Sequence, residues 1–147
     1  MCDEMEVMVI KLTMEQVMSF FRKVTDVFPK LADDDIAVSY ADKLSRFADF
    51  VICIDKDEVV GMIAYYMNTP PVCYISFVCV QKEYLHKGLF KRMYAIVERE
   101  SFLRNFDTIK LEVSRDNLRA MYIYEKLGFK YCSESSRGQY MEKKIDI

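Results

Sequence analysis

Apolar positions recur along most of the chain, and their period changes from helix to strand near residue 49. Glu6 to Leu12 alternates apolar and charged residues, which predicts a first strand. Thr13 and Gln16 have the spacing of a capping box, so a helix is predicted to begin there. Its stripe of apolar residues is predicted to continue until Pro29 and consists of Met14, Val17, Met18, Phe21, Val24 and Phe28.

Three aspartates, Asp33 to Asp35, precede a second predicted helix. Carboxylates at a helix start satisfy free amides and complement the helix dipole, so capping is the simplest interpretation of these residues. Attraction of a cationic substrate is the alternative. The predicted apolar face of this helix consists of Ile36, Tyr40, Leu44 and Phe47.

From Asp49 onward, short runs rich in β-branched and aromatic residues alternate with turn residues. They predict a three-stranded antiparallel meander at Phe50 to Asp55, Val59 to Asn68 and Val72 to Val80. A helix at Lys91 to Leu103 and a strand at Thr108 to Val113 are predicted next. A helix at Asn117 to Leu127 and two closing strands at Phe129 to Cys132 and Gln139 to Lys144 follow them. Because the 147 residues show no repeat or long linker, we expect one domain, residues 1–147.

Charge and composition narrow the classes of function. The net charge of -2 provides no field that would attract nucleic acid or an anionic membrane. The first residues do not resemble a signal peptide, and no apolar run approaches the roughly 20 residues of a membrane helix. We therefore expect a cytoplasmic protein that binds neither nucleic acid nor a membrane.

The five cysteines are odd in number and form no Cys-x-x-Cys pair, so we expect reduced thiols and no metal site. Cys53 and Cys79 lie in apolar runs, where a small buried side chain is the simpler interpretation and a nucleophile the alternative.

A short loop with His86, Lys87 and Gly88 separates the strand that ends at Val80 from the following helix. The first amides of a helix have no intrahelical acceptor, and glycine lets an anion approach the backbone closely. The loop therefore suits a phosphate group. An ordinary turn is the alternative interpretation.

A second motif runs from Asn117 to Phe129 and contains Ala120, Ile123, Tyr124, Glu125, Lys126, Leu127 and Gly128. Together the two segments resemble the GNAT superfamily of acyltransferases. Its members carry a Gln/Arg-x-x-Gly-x-Gly/Ala loop between a strand and a helix, and later an Asn, an Ala and a Leu-Tyr-Glu-Lys-x-Gly-Phe run. The chain departs from the first pattern at Leu85 and Phe90, where Gln or Arg and a small residue are expected.

The resemblance implies a mixed α+β fold. Its central twisted sheet would have six to seven mostly antiparallel strands, splayed between strands four and five and flanked by about four helices. Acetyl-coenzyme A would be the cosubstrate, without a metal. Its pantetheine arm would lie in the split beside strand four, and its pyrophosphate at the glycine loop, with Asn117 and Tyr124 on the other side. The implied contacts are Phe77, Val78, Cys79 and Val80, then Leu85, His86, Lys87, Gly88, Leu89 and Phe90.

The resemblance also implies N-acetyl transfer to a primary amine by direct attack, with Tyr124 as the proton donor to the thiolate. A core aromatic is the alternative role of Tyr124. Glu112 on the fifth strand is the best candidate for the general base, directly or through water, and a solvated carboxylate is its alternative. We expect His86 to contact the diphosphate and not to be catalytic.

Two other classes of function stay open. A catalytically weak GNAT-fold module could sense acyl-coenzyme A, and an interaction domain could use the fold without any cosubstrate. The expected partner is a small-molecule or peptide amine, bound near the first two helices, the loop from Pro29 to Ile36 and the turn after Cys132. We expect a monomer or a homodimer.

Overall fold

The computed structural model describes residues 5–145 and contains a seven-stranded sheet with helices on both faces. The strands are β1 (Glu6–Ile10), β2 (Asp49–Asp55), β3 (Glu58–Thr69), β4 (Val72–Val80), β5 (Thr108–Ser114), β6 (Lys130–Glu134) and β7 (Gly138–Lys144). The helices are α1 (Met14–Lys23), α2 (Asp34–Phe47), α3 (Leu89–Leu103) and α4 (Leu118–Lys126), with short 3-10 turns at Pro29–Ala32 and Lys82–Tyr84. The mixed α+β class predicted from the sequence is confirmed.

The strand order is β1-β2-β3-β4-β5-β7-β6. Every neighbouring pair is antiparallel except β4 and β5, which run parallel. Helices α1 and α2 bury their apolar residues on one face of the sheet, and α3 and α4 on the other. No helix within residues 5–145 is long and apolar enough to cross a bilayer.

A β-bulge in β4 changes which face its side chains occupy. Ala64 pairs with Phe77 and Tyr65 with Ile75, so Ser76 is an extra residue without a partner on β3. In a regular strand, residues two apart share a face. Here Ile75 packs into the core beneath α3, whereas Phe77 packs into the core beneath α1 and α2.

The sheet opens where the bulge lies. The ladder between β4 and β5 contains four pairs, from Val72 with Thr108 to Ile75 with Leu111, and extends no further. β4 continues for five residues beyond Ile75 and β5 for three beyond Leu111. The facing edges of these two segments therefore have no strand partner, which leaves backbone donors and acceptors for a ligand.

The predicted helix starts are confirmed by their hydrogen bonds. The Thr13 hydroxyl accepts from the Gln16 amide at 3.2 Å, and the Gln16 side chain accepts from the Thr13 amide at 2.9 Å. The Asp33 carboxylate accepts from the amides of Asp35 and Ile36 at 3.0 and 3.2 Å. Capping is thus the observed role of Asp33.

Two sequence predictions about these helices are wrong. Helix α1 ends at Lys23 and does not continue to Pro29, because Val24 and Thr25 are β-branched and disfavour a helix. Phe28 consequently lies in a loop. On α2, Ile36 and Phe47 are exposed, and the buried stripe is formed by Ala37, Ala41 and Leu44. The small alanines bring this helix close to its neighbours, while Ile36 and Phe47 at its two ends stay outside.

Candidate active site

A cleft of about 400 Å³ occupies the opening between β4 and β5. Residues 75–78 of β4 form one wall and residues 111–114 of β5 the other. On the α3/α4 face, Asn117, Ala120 and Tyr124 line the cleft, and on the α1/α2 face it is lined by residues 27–30. Arg137, from the turn between β6 and β7, completes the lining. The cleft therefore connects the two faces of the sheet.

Tyr124 projects from α4 toward this cleft. Its ring is held by edge contacts with Phe90, at 6.0 Å between ring centroids, and with Phe129, at 5.6 Å. Its hydroxyl makes no hydrogen bond with residues 5–145. Burial raises the pKa of Tyr124 to about 12. The phenol therefore keeps its proton at neutral pH.

Asn117 begins α4 at the edge of the cleft. Its side-chain oxygen accepts a hydrogen bond from the Ala120 amide at 3.1 Å, which makes Asn117 the cap of the helix that carries Tyr124. Gly128, with a φ of 104°, ends the same region in the left-handed conformation that the sequence predicts. The second motif thus fixes the position of α4 at both ends.

The start of α3 differs from the starts of the other three helices. Thr13, Asp33 and Asn117 cap their helices with side chains, whereas Gly88 caps α3 with no side chain at all. The first intrahelical bond runs from the Arg92 amide to the Gly88 carbonyl. The amides before it have no helical acceptor and are open to an anion.

The two departures from the superfamily loop have a structural explanation. Phe90 turns inward, stacks on Tyr94 at 5.9 Å and contacts Tyr124. Its bulk therefore fills the core beside Tyr124. Leu85 is 45% exposed and is not part of either core.

Several of the predicted cosubstrate contacts have buried side chains or lie outside the lining of the cleft. The side chains of Cys79 and Leu89 are buried in the two cores, at 4% and 2% exposure. Val80, like residues 85–90, lies outside the lining of the cleft, while Phe77 and Val78 belong to it. His86 and Lys87 are exposed in the loop before α3. Arg92 donates to the Met5 carbonyl at 3.2 Å.

Glu112 lies on the β5 wall, with its side chain 12% exposed. Arg137 donates to its Oε1 from Nη2 at 2.7 Å. The hydrogen bond from Ser135, followed by those from Arg137, holds the pKa of Glu112 below its usual value. Glu112 is therefore an ionised, strongly held carboxylate, and it is the one acid among the described residues that line the cleft.

The bulge residue is tied to α2. The Tyr40 hydroxyl donates to the Ser76 carbonyl at 3.0 Å and lies 2.6 Å from the Ser76 hydroxyl. Burial raises the pKa of Tyr40 to about 12, partly offset by the hydrogen bond with Ser76 and the charge of Arg137. Lys30 and Arg137 fall within the two segments that the sequence assigns to the acceptor, the loop from Pro29 to Ile36 and the turn after Cys132, although no pattern singles out either residue. Ser76 was missed, because it lies in no motif and only the folded sheet brings it to the cleft.

The cysteines of residues 5–145 are free thiols, most of them buried. Cys53, Cys73 and Cys79 are buried free thiols, and Cys132 is an exposed one. Burial raises the pKa of Cys79 to about 12, so its thiol is protonated at neutral pH. Within residues 5–145, no three His, Cys, Asp or Glu side chains are grouped so that they could hold a metal ion.

The sequence matches a family model described as the acetyltransferase (GNAT) family over residues 14–129. The chain therefore belongs to the GNAT family of acetyltransferases, and the resemblance drawn from its two motifs is confirmed. No curated protein sequence matches the chain significantly.

Solved structures share the fold over nearly the whole chain. The PaiA N-acetyltransferase of Thermoplasma acidophilum, in complex with coenzyme A, is 18% identical with a TM-score of 0.76, covering 95% of this chain and 99% of that one. PH1933 of Pyrococcus horikoshii OT3 is 22% identical, with a TM-score of 0.78 and coverage of 97% and 100%. An acetyltransferase of the GNAT family from Staphylococcus aureus Mu50 is 15% identical, with a TM-score of 0.71 and coverage of 96% and 100%. At these identities the likeness establishes the fold.

We predict that Gly88→Val weakens coenzyme A binding at least tenfold in calorimetry. Gly88 has a φ of 75°, and a Cβ placed there would meet no protein atom within 4 Å. A loss of affinity would therefore come from obstruction of the ligand, beyond about 1–2 kcal/mol of left-handed strain.

Asn105→Val provides the matched control, because Asn105 has a φ of 64° in the turn after α3, at the other end of that helix. It should lose similar stability and keep its affinity. If Gly88→Val and Asn105→Val bind coenzyme A with equal affinity, the pyrophosphate does not bind beside Gly88.

Proposed function

We propose that this protein transfers an acetyl group from acetyl-coenzyme A to a primary amine by direct attack, with Tyr124 as the general acid. The observation that carries the proposal is the position of a partly buried phenol beside the opening between β4 and β5. Membership of the GNAT family supports the reaction class, and the named residues are this chain's own.

Acetyl-coenzyme A fits the two open features of the structure. The unpaired edge of β4 beyond Ile75 offers backbone hydrogen bonds to the amides of the pantetheine arm. The uncapped amides at the start of α3 suit the pyrophosphate. Phe90 joins the two regions, because it belongs to the first turn of α3 and touches Tyr124. Asn117 is proposed to contact the cosubstrate from α4.

The proposed step conserves atoms and charge. The neutral amine nitrogen bonds to the thioester carbonyl carbon, and a tetrahedral oxyanion forms. A backbone amide near Val80 is proposed to stabilise this oxyanion. When the carbon–sulfur bond breaks, the sulfur takes the Tyr124 proton and leaves as the thiol, and the proton released by the amine then returns to the phenolate through solvent. The raised pKa of Cys79 favours direct attack over an acyl-enzyme.

Glu112 is the proposed acceptor of the proton that the amine loses. It faces the cleft and is ionised, but its contacts with Ser135 and Arg137 make it a weak base. We therefore propose that it acts through a water molecule and that the amine arrives largely as the free base. The free amine fraction then limits the rate near neutral pH.

Tyr124→Phe is predicted to lower kcat by about 10²–10⁴-fold while leaving coenzyme A affinity and the unfolding free energy nearly unchanged. The substitution keeps the ring contacts with Phe90 and Phe129 and removes only the hydroxyl. Steady-state kinetics with the best amine found in a thiol-release screen provides the measurement.

Tyr122→Phe is the matched control, because Tyr122 lies on the same helix with its side chain 60% exposed. It should behave as wild type. If Tyr124→Phe retains wild-type kcat, Tyr124 is a core aromatic and another group supplies the proton. If the wild type binds acetyl-coenzyme A but acetylates no amine, the sensor alternative is favoured.

The pH dependence of kcat/KM is predicted to rise between about pH 6 and pH 10 without a falling limb. The acceptor amine loses its proton over this range, whereas Tyr124, with a pKa raised to about 12, keeps its own. The lowered pKa of Glu112 places its titration on the acidic side of the range. A falling limb centred near pH 9 that disappears in Tyr124→Phe would show that burial does not protect the phenol.

A further inference from the structure

The side of the cleft facing α1 and α2 carries an excess of positive charge. We define the acceptor side as the lining residues 27–30 together with Arg137. It faces α1 and α2 because Phe28 packs on Phe77 at 5.2 Å between ring centroids, and because the charge of Arg137 acts on Tyr40. Its two cations are Lys30 and Arg137, and the described residues lining the cleft contain one carboxylate, Glu112.

Arg137 retains hydrogen-bonding capacity toward the cleft. A guanidinium has five N–H donors in a planar fork. One of them, on Nη2, bonds Glu112, and its other side-chain donors make no hydrogen bond with residues 5–145. The side chain is 69% exposed. Glu112 therefore holds Arg137 in place while the rest of the fork remains accessible.

Lys30 is not paired with any of the acidic residues that follow it. It forms no ion pair within 4 Å with a carboxylate of residues 5–145. Asp33, the nearest acid along the chain, uses its carboxylate to cap α2. The acceptor side thus presents two cations, of which only Arg137 is paired.

These charges lie away from the anionic groups of the cosubstrate. The proposed pyrophosphate site is at the start of α3, on the opposite face of the sheet. A ligand anion near Lys30 and Arg137 would therefore belong to the acceptor. A planar carboxylate matches the guanidinium fork, which favours two-point hydrogen bonding.

We propose that the acceptor is a small amine that also bears a carboxylate, as in a free amino acid, and that Arg137 with Lys30 binds this carboxylate. This inference rests on the proposed acetyl transfer and specifies its substrate class. The acceptor nitrogen then lies toward Ser76, which lines the cleft and whose hydroxyl can accept a hydrogen bond.

The test compares each L-amino acid with its carboxamide as acceptor, using purified protein and acetyl-coenzyme A. For the best pair, kcat/KM for the acid should exceed that for the carboxamide at least tenfold. The intrinsic reactivity of the two amines would favour the carboxamide instead. A neighbouring carboxylate raises the pKa of the amine, so less of the acid is present as the free amine at neutral pH. Arg137→Gln and Lys30→Gln should each reduce the ratio, mainly through KM of the acid.

The ratio of kcat/KM for the acid to kcat/KM for its carboxamide is unaffected by a loss of activity that both substrates share. Any change that Arg137→Gln causes at Glu112 is such a shared loss. Lys30→Gln leaves the contact between Arg137 and Glu112 intact. Arg46→Gln is the control, because Arg46 is exposed on α2 and pairs with Asp42; its ratio should equal that of wild type. The affinities of each amino acid and its carboxamide for the complex of the protein with coenzyme A, measured by titration, repeat the comparison without turnover.

This inference is overturned if kcat/KM for the acids is equal to or lower than that for their carboxamides. It is also overturned if the preference for acids is unchanged in both Arg137→Gln and Lys30→Gln. Efficient acetylation of amines without a carboxylate would then leave the proposed function standing. Failure to acetylate any amine overturns the proposed function. In that case, Arg137-dependent binding of an amino acid still supports the carboxylate site, and the absence of such binding rejects it.

Discussion

The bulge at Ser76 is the constraint on which the rest of the site depends. One unpaired residue shifts β4 by a single position, so that Phe77 faces α1 and α2 while Ile75 faces α3. The ladder with β5 ends at this point. β4 thereby contributes side chains to the cores on both faces of the sheet. A gap lined by unpaired backbone groups lies between β4 and β5. A regular β4 would extend its pairing with β5 and close that gap.

The two helices on the α3 side complete the site in different ways. α3 begins at a glycine without a side-chain cap, so its amides remain available to an anion. α4 begins at an asparagine that caps it and carries a tyrosine whose hydroxyl has no hydrogen bond among the described residues. Phe90 packs against that tyrosine and links the two elements. The large residue at this loop position therefore supports the ring of the proposed acid.

Much of this arrangement could be predicted from the sequence. Local patterns predicted the strands, the caps at Thr13 and Asp33, and the left-handed Gly128, because each depends on neighbours in the chain. The bulge had no such signal: Val72 to Val80 is apolar on both faces, so its period does not mark where the register changes. Ser76, its one hydroxyl-bearing residue without an aromatic ring, was the only hint. The segments holding Lys30 and Arg137 were expected near the acceptor, but the two residues were not singled out, because tertiary structure alone places them at one cleft.

The crystal structure of the complex with acetyl-coenzyme A tests the central claim most directly. The account predicts the pantetheine arm between residues 76–78 and residues 111–113, with the thioester sulfur within about 3.5 Å of the Tyr124 hydroxyl. An arm bound outside the opening of the sheet, or a Tyr124 hydroxyl directed away from the sulfur, would contradict it.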